Sequence, residues 1–382
     1  MMSHRFSMRA HKAIALLLLF ARSQCVELWA QDQPLTERSF SNPLTAPEDG
    51  FARVLVPRPF HFPADHGPHN EYRSEWWYFT GNLHDPEGRK FGYQLTFFRF
   101  ALKPKTTPSE SAWRSNQIYM AHFTVTDVKN LNFHTAERFS RSGLNLAGGR
   151  TDKYQVWLDD WSAASIGDGV FPLRLRAKQA DFAIDLQLTE QKPLVLQGNE
   201  GMSQKSSQPG NASYYYSFTR LATTGRLTLQ DRSFQVSGSS WMDREWSTSA
   251  LSQEQIGWDW FSLQLSDDSE IMYYRLRLKN GATDPHSAGT LVLADHSQIS
   301  LNERNIKIQA LDEWTSPHSK RTYPSQWRLI VPDQDLKLDI IPLINDQELN
   351  LSFRYWEGAV TVRGKKNGQP ITGRGYVELT GY

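Results

Sequence analysis

From Glu75 onward, apolar and polar residues alternate over short runs, and turn formers separate the runs. The clearest run is 119–127, where Ala121, Phe123 and Val125 share one face and His122, Thr124 and Thr126 share the other. Similar runs are predicted at 76–83, 91–100, 155–158, 173–177, 182–188, 214–220, 225–229 and 234–237. A second series follows at 258–265, 271–278, 289–293, 306–310, 326–330, 336–341, 355–363 and 373–379. Only 136–141 offers a modest helical period, and 198–210, poor in apolar residues, reads as a mobile loop. Many short strands joined by Gly- and Pro-bearing turns predict an all-β protein of closed antiparallel barrels or sandwiches. A modest barrel leaves room inside for one small apolar ligand.

The two series share an aromatic pattern. Trp76, Tyr78, Phe79 and Leu83 match Trp258, Trp260, Phe261 and Leu265 when Phe79 is laid on Phe261. A second pair of segments matches in the same order, with Gly238, Trp241 and Asp243 against Gly373, Tyr376 and Glu378. One β-rich unit used twice explains both matches. It also puts Asp243 and Glu378 in equivalent places. In the first copy Trp76 and Tyr78 face one way, and Trp77 and Phe79 the other. A strand apolar on both faces is covered on both sides, so the two units are expected to pack together. The aromatic motif is read as packing rather than as a site. The boundaries that follow are 60–247 and 257–382, preceded by an extended leader at 31–59.

The first thirty residues are set apart. Arg5, Arg9 and Lys12 precede the apolar run 13–21, which is too short to span a bilayer and reads as a secretory signal cleaved after Ala30. A periplasmic or secreted location is expected. Cleavage would remove four basic residues and one acidic residue, taking the formal charge from +1 to −2. Neither value suits nucleic acid as a partner. Cleavage would also remove Cys25, the single cysteine, which excludes disulfides, thiol catalysis and thiolate metal sites from the mature chain.

The residues at 62–69 leading into Glu75-Trp76-Trp77-Tyr78-Phe79-Thr80-Gly81-Asn82-Leu83 resemble the AttH-like, lipocalin-like family, related to the bacterial carotenoid 1,2-hydratases. Tyr214-Tyr215-Tyr216-Ser217, Trp241-Met242-Asp243-Arg244-Glu245-Trp246 and the terminal Gly375-Tyr376-Val377-Glu378 are similar to the same family. The resemblance covers about residues 55–382. It implies two consecutive lipocalin-like barrels packed against each other and, in the hydratases, cofactor-free addition of water to an alkene. It implies the acid role for Asp243, two residues after the aromatic Trp241, and assistance from the preceding strand at Tyr214 and Tyr216. The hydratases carry His and Trp at those two positions, which is a departure here.

The chemistry rests first on Asp243. Its neighbours Trp241, Met242 and Trp246 predict an apolar setting that favours the neutral carboxyl. Adjacent Arg244 would act against this if it paired with Asp243. His122 is a candidate proton relay facing a lumen, and Glu75 a candidate catalytic carboxylate present in one copy only, since Gly257 stands opposite it. Tyr214, Tyr216, His69 and Trp246 are candidate ligand contacts. His61, His66 and His69 with Asp65 and Glu71 match no familiar metal-ligand spacing, so no metal is assigned, and docking of this segment across a barrel mouth is expected instead. No phosphate or dinucleotide fingerprint is present, so no cofactor is assigned. The run 238–242 lacks the second glycine of a hydrolase nucleophile elbow. Three function classes follow. One is an enzyme acting on an apolar, isoprenoid- or lipid-like molecule by acid-catalysed hydration. Another is a carrier or periplasmic accessory of such a molecule, with a membrane-associated partner. The third is a structural partner in an exported complex, with both barrels filled by side chains; barrel axes closed by aromatics would favour it.

Overall fold

In the computed structural model, which describes residues 50–104, 115–249 and 251–382, the alternating runs form two antiparallel sheets. The segment read as a signal, and the leader as far as residue 49, lie outside the described residues. The first sheet has 13 strands. It runs as a meander from Ser74–His84, Lys90–Ala101, Gln117–Asp127 and Asn132–Arg141 round to Ala212–Leu229 and Arg232–Ser247. The last strand then pairs with the first, from Ser74↔Ser247 to His84↔Ser237. Asn132–Arg141 and Ala147–Arg150 are not paired, so the ring is a nearly closed barrel. The second sheet has 10 strands and repeats the plan as a half-barrel. Its first strand, Gln255–Leu265, pairs with its last, Gln369–Leu379. Both sheets belong to one compact unit.

The duplication is visible in the register. Tyr78 pairs with Asp243 and Phe79 with Met242 in the first sheet. Trp260 pairs with Glu378 and Phe261 with Val377 in the second. These are the positions that the sequence match made equivalent. The next strands extend the match, because Asp243 also pairs with Ser217, and Glu378 with Glu357.

Each sheet wraps a filled interior. Trp77, Phe79, Phe123, Tyr154, Trp161 and Trp246 belong to the first core, and Phe261, Trp327 and Trp356 to the second. These side chains project into the space where a ligand was expected. The opposite strand faces meet between the barrels. There Tyr78, Tyr215, Trp241, Trp260, Met272, Tyr274 and Tyr376 form a third apolar cluster, with Trp76, Trp258 and Leu251 packed on it. Polar ties hold the seam. Lys192 Nζ lies 3.0 Å from Glu270 Oε2, Gln264 Nε2 donates to Ser240 O at 3.0 Å, and Asn82 Nδ2 donates to Gly375 O at 2.9 Å.

Two local expectations are corrected. Residues 136–141 lie in the strand Asn132–Arg141, because the neighbouring strand offers a full ladder from Ile118↔Arg141 to Asp127↔Asn132 that outweighs a weak helical period. The segment 198–210 contains the strand Met202–Gln204, paired with the Tyr214 strand and tied across the seam by Ser203 Oγ and Tyr274 Oη at 2.8 Å.

Candidate functional site

Alternation decides what surrounds Asp243. On Arg232–Ser247 the even positions Met242 and Trp246 belong to the first core, so Trp241, Asp243 and Glu245 point into the seam. Arg244 takes the interior face, where its guanidinium hydrogen-bonds Glu75. It is therefore not the partner of Asp243. On the seam side, Lys205 sits 3.1 Å from Glu245. Asp243 is 3% exposed and has only neutral partners. Tyr215 donates to Oδ2 at 2.5 Å, while Ser217 and Trp241 Nε1 donate to Oδ1 at 2.6 and 2.7 Å. Burial raises its pKa to about 7, against the lowering effect of those three donors, and Glu245 adds a smaller push upward. When the carboxyl is protonated, the short Tyr215 contact can run the other way, with Oδ2–H donating.

The second barrel brings two more carboxyls to the same seam. Glu357 and Glu378 stand directly opposite each other on adjacent strands. Tyr78 donates to Glu357 Oε1 at 2.6 Å, and Trp258 Nε1 donates to Glu378 Oε1 at 2.7 Å. Glu357 is fully buried, while Glu378 keeps partial exposure beside the partly exposed Trp76 and Trp258. Burial pushes Glu357 well above the usual carboxylate range, and the neighbouring Glu378 charge adds to this. Burial pushes Glu378 up to about 7, with further upward contributions from Asp243 and Glu245. Glu357 and Glu378 therefore titrate as a coupled pair.

The aromatic motif holds these carboxyls together. Tyr78, the ladder neighbour of Asp243, reaches across to Glu357. Trp260, the ladder neighbour of Glu378, reaches back and donates to Tyr215 Oη at 3.1 Å. The Tyr78 and Trp260 rings meet edge to face at 5.1 Å. Residues read from the sequence as packing thus line the carboxyls as well.

The other predicted residues divide between two places. Tyr214, Tyr216 and Trp246 face the first barrel's interior, so the expectation that Tyr214 and Tyr216 flank Asp243 is corrected to Tyr215 and Ser217. The cause is a register shift between Phe218 and Leu221, which switches the interior face from even to odd numbers along the strand. His69 stacks on Trp246 at 3.8 Å and belongs to a buried ion network. In it Glu75 is held by Arg99 and Arg244 and accepts from the His69 amide at 3.0 Å. Burial would raise the Glu75 pKa, but the two guanidiniums outweigh burial and hold it well below the usual range. Glu75 is therefore an ionised tether, not an acid. His66 lies inside the barrel with Nδ1 2.6 Å from Tyr216 Oη, and burial lowers its pKa to about 3. With Phe60 and Phe62 edge-on to Tyr216, the segment packs onto the interior aromatics.

His122 does not face a lumen. The interior face of its strand is the apolar one, and His122 sits on the seam side between Tyr355 Oη at 2.7 Å and Glu137 Oε1 at 3.0 Å. It shares a ladder row with Thr96, Tyr78 and Asp243. Three strand spacings separate it from Asp243, roughly 14 Å. Tyr215, Ser217 and Glu357 are the site residues that the sequence reading missed. For Glu357 a signal was present: a carboxylate on a strand face between Tyr355 and Ala359, inside the run 355–363.

Comparison with known proteins agrees with this architecture. An AttH-like protein (NE1406) of Nitrosomonas europaea matches with a TM-score of 0.77 and 35% identity, over 87% of this chain and 100% of that one. Kievitone hydratase from Nectria haematococca matches with a TM-score of 0.65 and 17% identity, over 86% and 94%. CghA matches with a TM-score of 0.51 and 12% identity, over 87% and 96%. The last two likenesses are of fold. No curated protein matches the chain in sequence. The AttH-like family model matches residues 53–382, and the chain belongs to that family.

Proposed function

We propose that this protein adds water to an alkene of an apolar small molecule bound at the seam, with Asp243 as the acid. One observation carries the reading. Asp243 is a buried carboxyl with no cation partner among the described residues, set among aromatic rings, and burial raises its pKa to about 7, so a large share of it keeps its proton near neutrality. A neutral carboxyl can give its proton to an alkene carbon, and the rings of Trp241, Trp260 and Tyr78 can stabilise the cation that forms. Tyr215 and Ser217 orient the carboxyl through its two oxygens. Export, read from the first thirty residues, is part of the same proposal.

The test is a screen of apolar alkenes in isotopically heavy water. Products gain one water carrying the label in the wild type, and Asp243→Asn forms none while keeping its fold and its affinity for the molecule. Undiminished turnover in Asp243→Asn refutes the assignment.

A further inference from the structure

The Glu357–Glu378 pair has no counterpart on the first barrel, where Ser217 and Asp243 occupy the equivalent rungs. Tyr78 satisfies Glu357 Oε1. Glu357 Oε2, fully buried, has no donor among the described residues, and the carboxyl of Glu378 lies beside this side chain. A proton on Glu357 Oε2 shared with Glu378 satisfies both groups and leaves Glu378 as the member that carries charge. Two adjacent carboxyls in such a setting hold one proton between them, because both cannot ionise. Glu378 is also the more exposed member of the pair, and its Oε1 accepts from the indole of the partly exposed Trp258.

We infer that Glu357 and Glu378 form a single-proton pair that serves as the base of the site, opposite the acid Asp243. The inference rests on the hydration reading above. In the first step the Asp243 proton goes to one alkene carbon, and the C=C electron pair forms the new C–H bond. The other carbon becomes cationic, facing the aromatic rings and the Glu378 carboxylate. In the second step a water oxygen bonds to that carbon, and the proton it releases goes to Glu378. The substrate has then gained one water. Asp243 is one proton short and the pair one proton richer; the pair gives its extra proton to solvent, and Asp243 takes one from solvent as product leaves, which restores both. Acid and base thus come from different barrels.

The test uses a cation mimic, N,N-dimethyloctylamine, against neutral 1-octanol, by calorimetric titration at about pH 7. The wild type is expected to prefer the ammonium at least about tenfold. Glu378→Gln loses that preference. Glu357→Gln keeps it, because the new amide donates to a carboxylate still present at Glu378. Asp243→Asn also keeps it. A preference that survives in Glu378→Gln overturns the base assignment and leaves the acid assignment standing. A preference lost in Asp243→Asn but kept in Glu378→Gln reverses the two roles. No preference in the wild type overturns the pair as a cation-facing base, whatever Asp243→Asn does to hydration. Circular dichroism of each variant separates these outcomes from misfolding.

Discussion

Asp243→Asn should change how stability depends on pH, and the sign follows from the site. The carboxyl of the wild type has a pKa of about 7 in the folded chain, against an ordinary value of 3.8. The folded state therefore binds this proton more tightly than the unfolded state does. The carboxyl's favourable contribution is complete below the unfolded pKa. It is lost progressively as pH rises towards the folded pKa, and the loss ends above it. About three pKa units correspond to roughly 4 kcal/mol. Asn keeps an oxygen for Ser217 and Trp241 and presents an amide to Tyr215, so it retains the contacts without titrating. Urea unfolding of both proteins at matched ionic strength, from about pH 4 to about pH 8, measures the difference. With an m-value of about 3 kcal/mol/M for a chain of this size, the midpoints should diverge by about 1 M, the wild type falling behind as pH rises. Because Asp243 and Glu378 repel when ionised, the variant should also ease the Glu378 titration, which adds to the divergence in the same direction. A difference that does not vary with pH would refute the buried neutral carboxyl. A wild type that gains on the variant with rising pH would show an ionised one.

Tyr215→Phe removes a donor to Asp243 and the acceptor of the Trp260 indole. It should cost about 1–3 kcal/mol in urea unfolding and raise the Asp243 pKa further, read by carboxyl NMR titration. Glu75→Gln leaves Arg99 and Arg244, both fully buried, without their carboxylate. It should cost about 3–5 kcal/mol, seen as a large fall in thermal midpoint. The stability lost is the part that Glu75 supplies above its unfolded pKa, so the gap between wild type and variant should narrow as the medium is acidified. Gly92→Ala tests the barrel contact. A Cβ there would stand 2.6 Å from Ala359 Cβ and 2.9 Å from the Tyr376 hydroxyl oxygen, so the barrels must shift. A loss of about 1–3 kcal/mol in thermal or urea unfolding is expected.

The sequence carried the architecture because alternation is a backbone property. Side chains point to opposite faces whatever the tertiary setting, so Trp76 and Tyr78 could be placed on one face, and Trp77 and Phe79 on the other, before any fold was known. The equivalence of Asp243 and Glu378 was legible for the same reason, since matching ladders preserve parity. Tyr215 was not legible. Tyr214, Tyr215 and Tyr216 give no alternation of their own, and the register shift at 218–221 reverses any count made from the far end of the strand. The helical reading of 136–141 failed because a long-range ladder supplied what local period did not. Glu75 and Asp243 both sit in aromatic runs, yet one is clamped by two guanidiniums and the other by neutral donors. That difference depends on which strands become neighbours, and a single strand does not state it.

The reciprocal reach of Tyr78 and Trp260 has a consequence for ancestry and for engineering. Each barrel lends the other one side chain at the same position of its ladder, which is how an isologous contact between two identical subunits is built. A chain with one such barrel would have to pair with a copy of itself to assemble either half of the seam, and both halves would then be alike. Fusion into one polypeptide removes that constraint. It lets Ser217 and Glu357, or Asp243 and Glu378, follow different selection while the contact that joins them stays in register. The present chain is in this sense a covalent heterodimer, and its two carboxyl-bearing rungs occupy the same place in a repeated ladder.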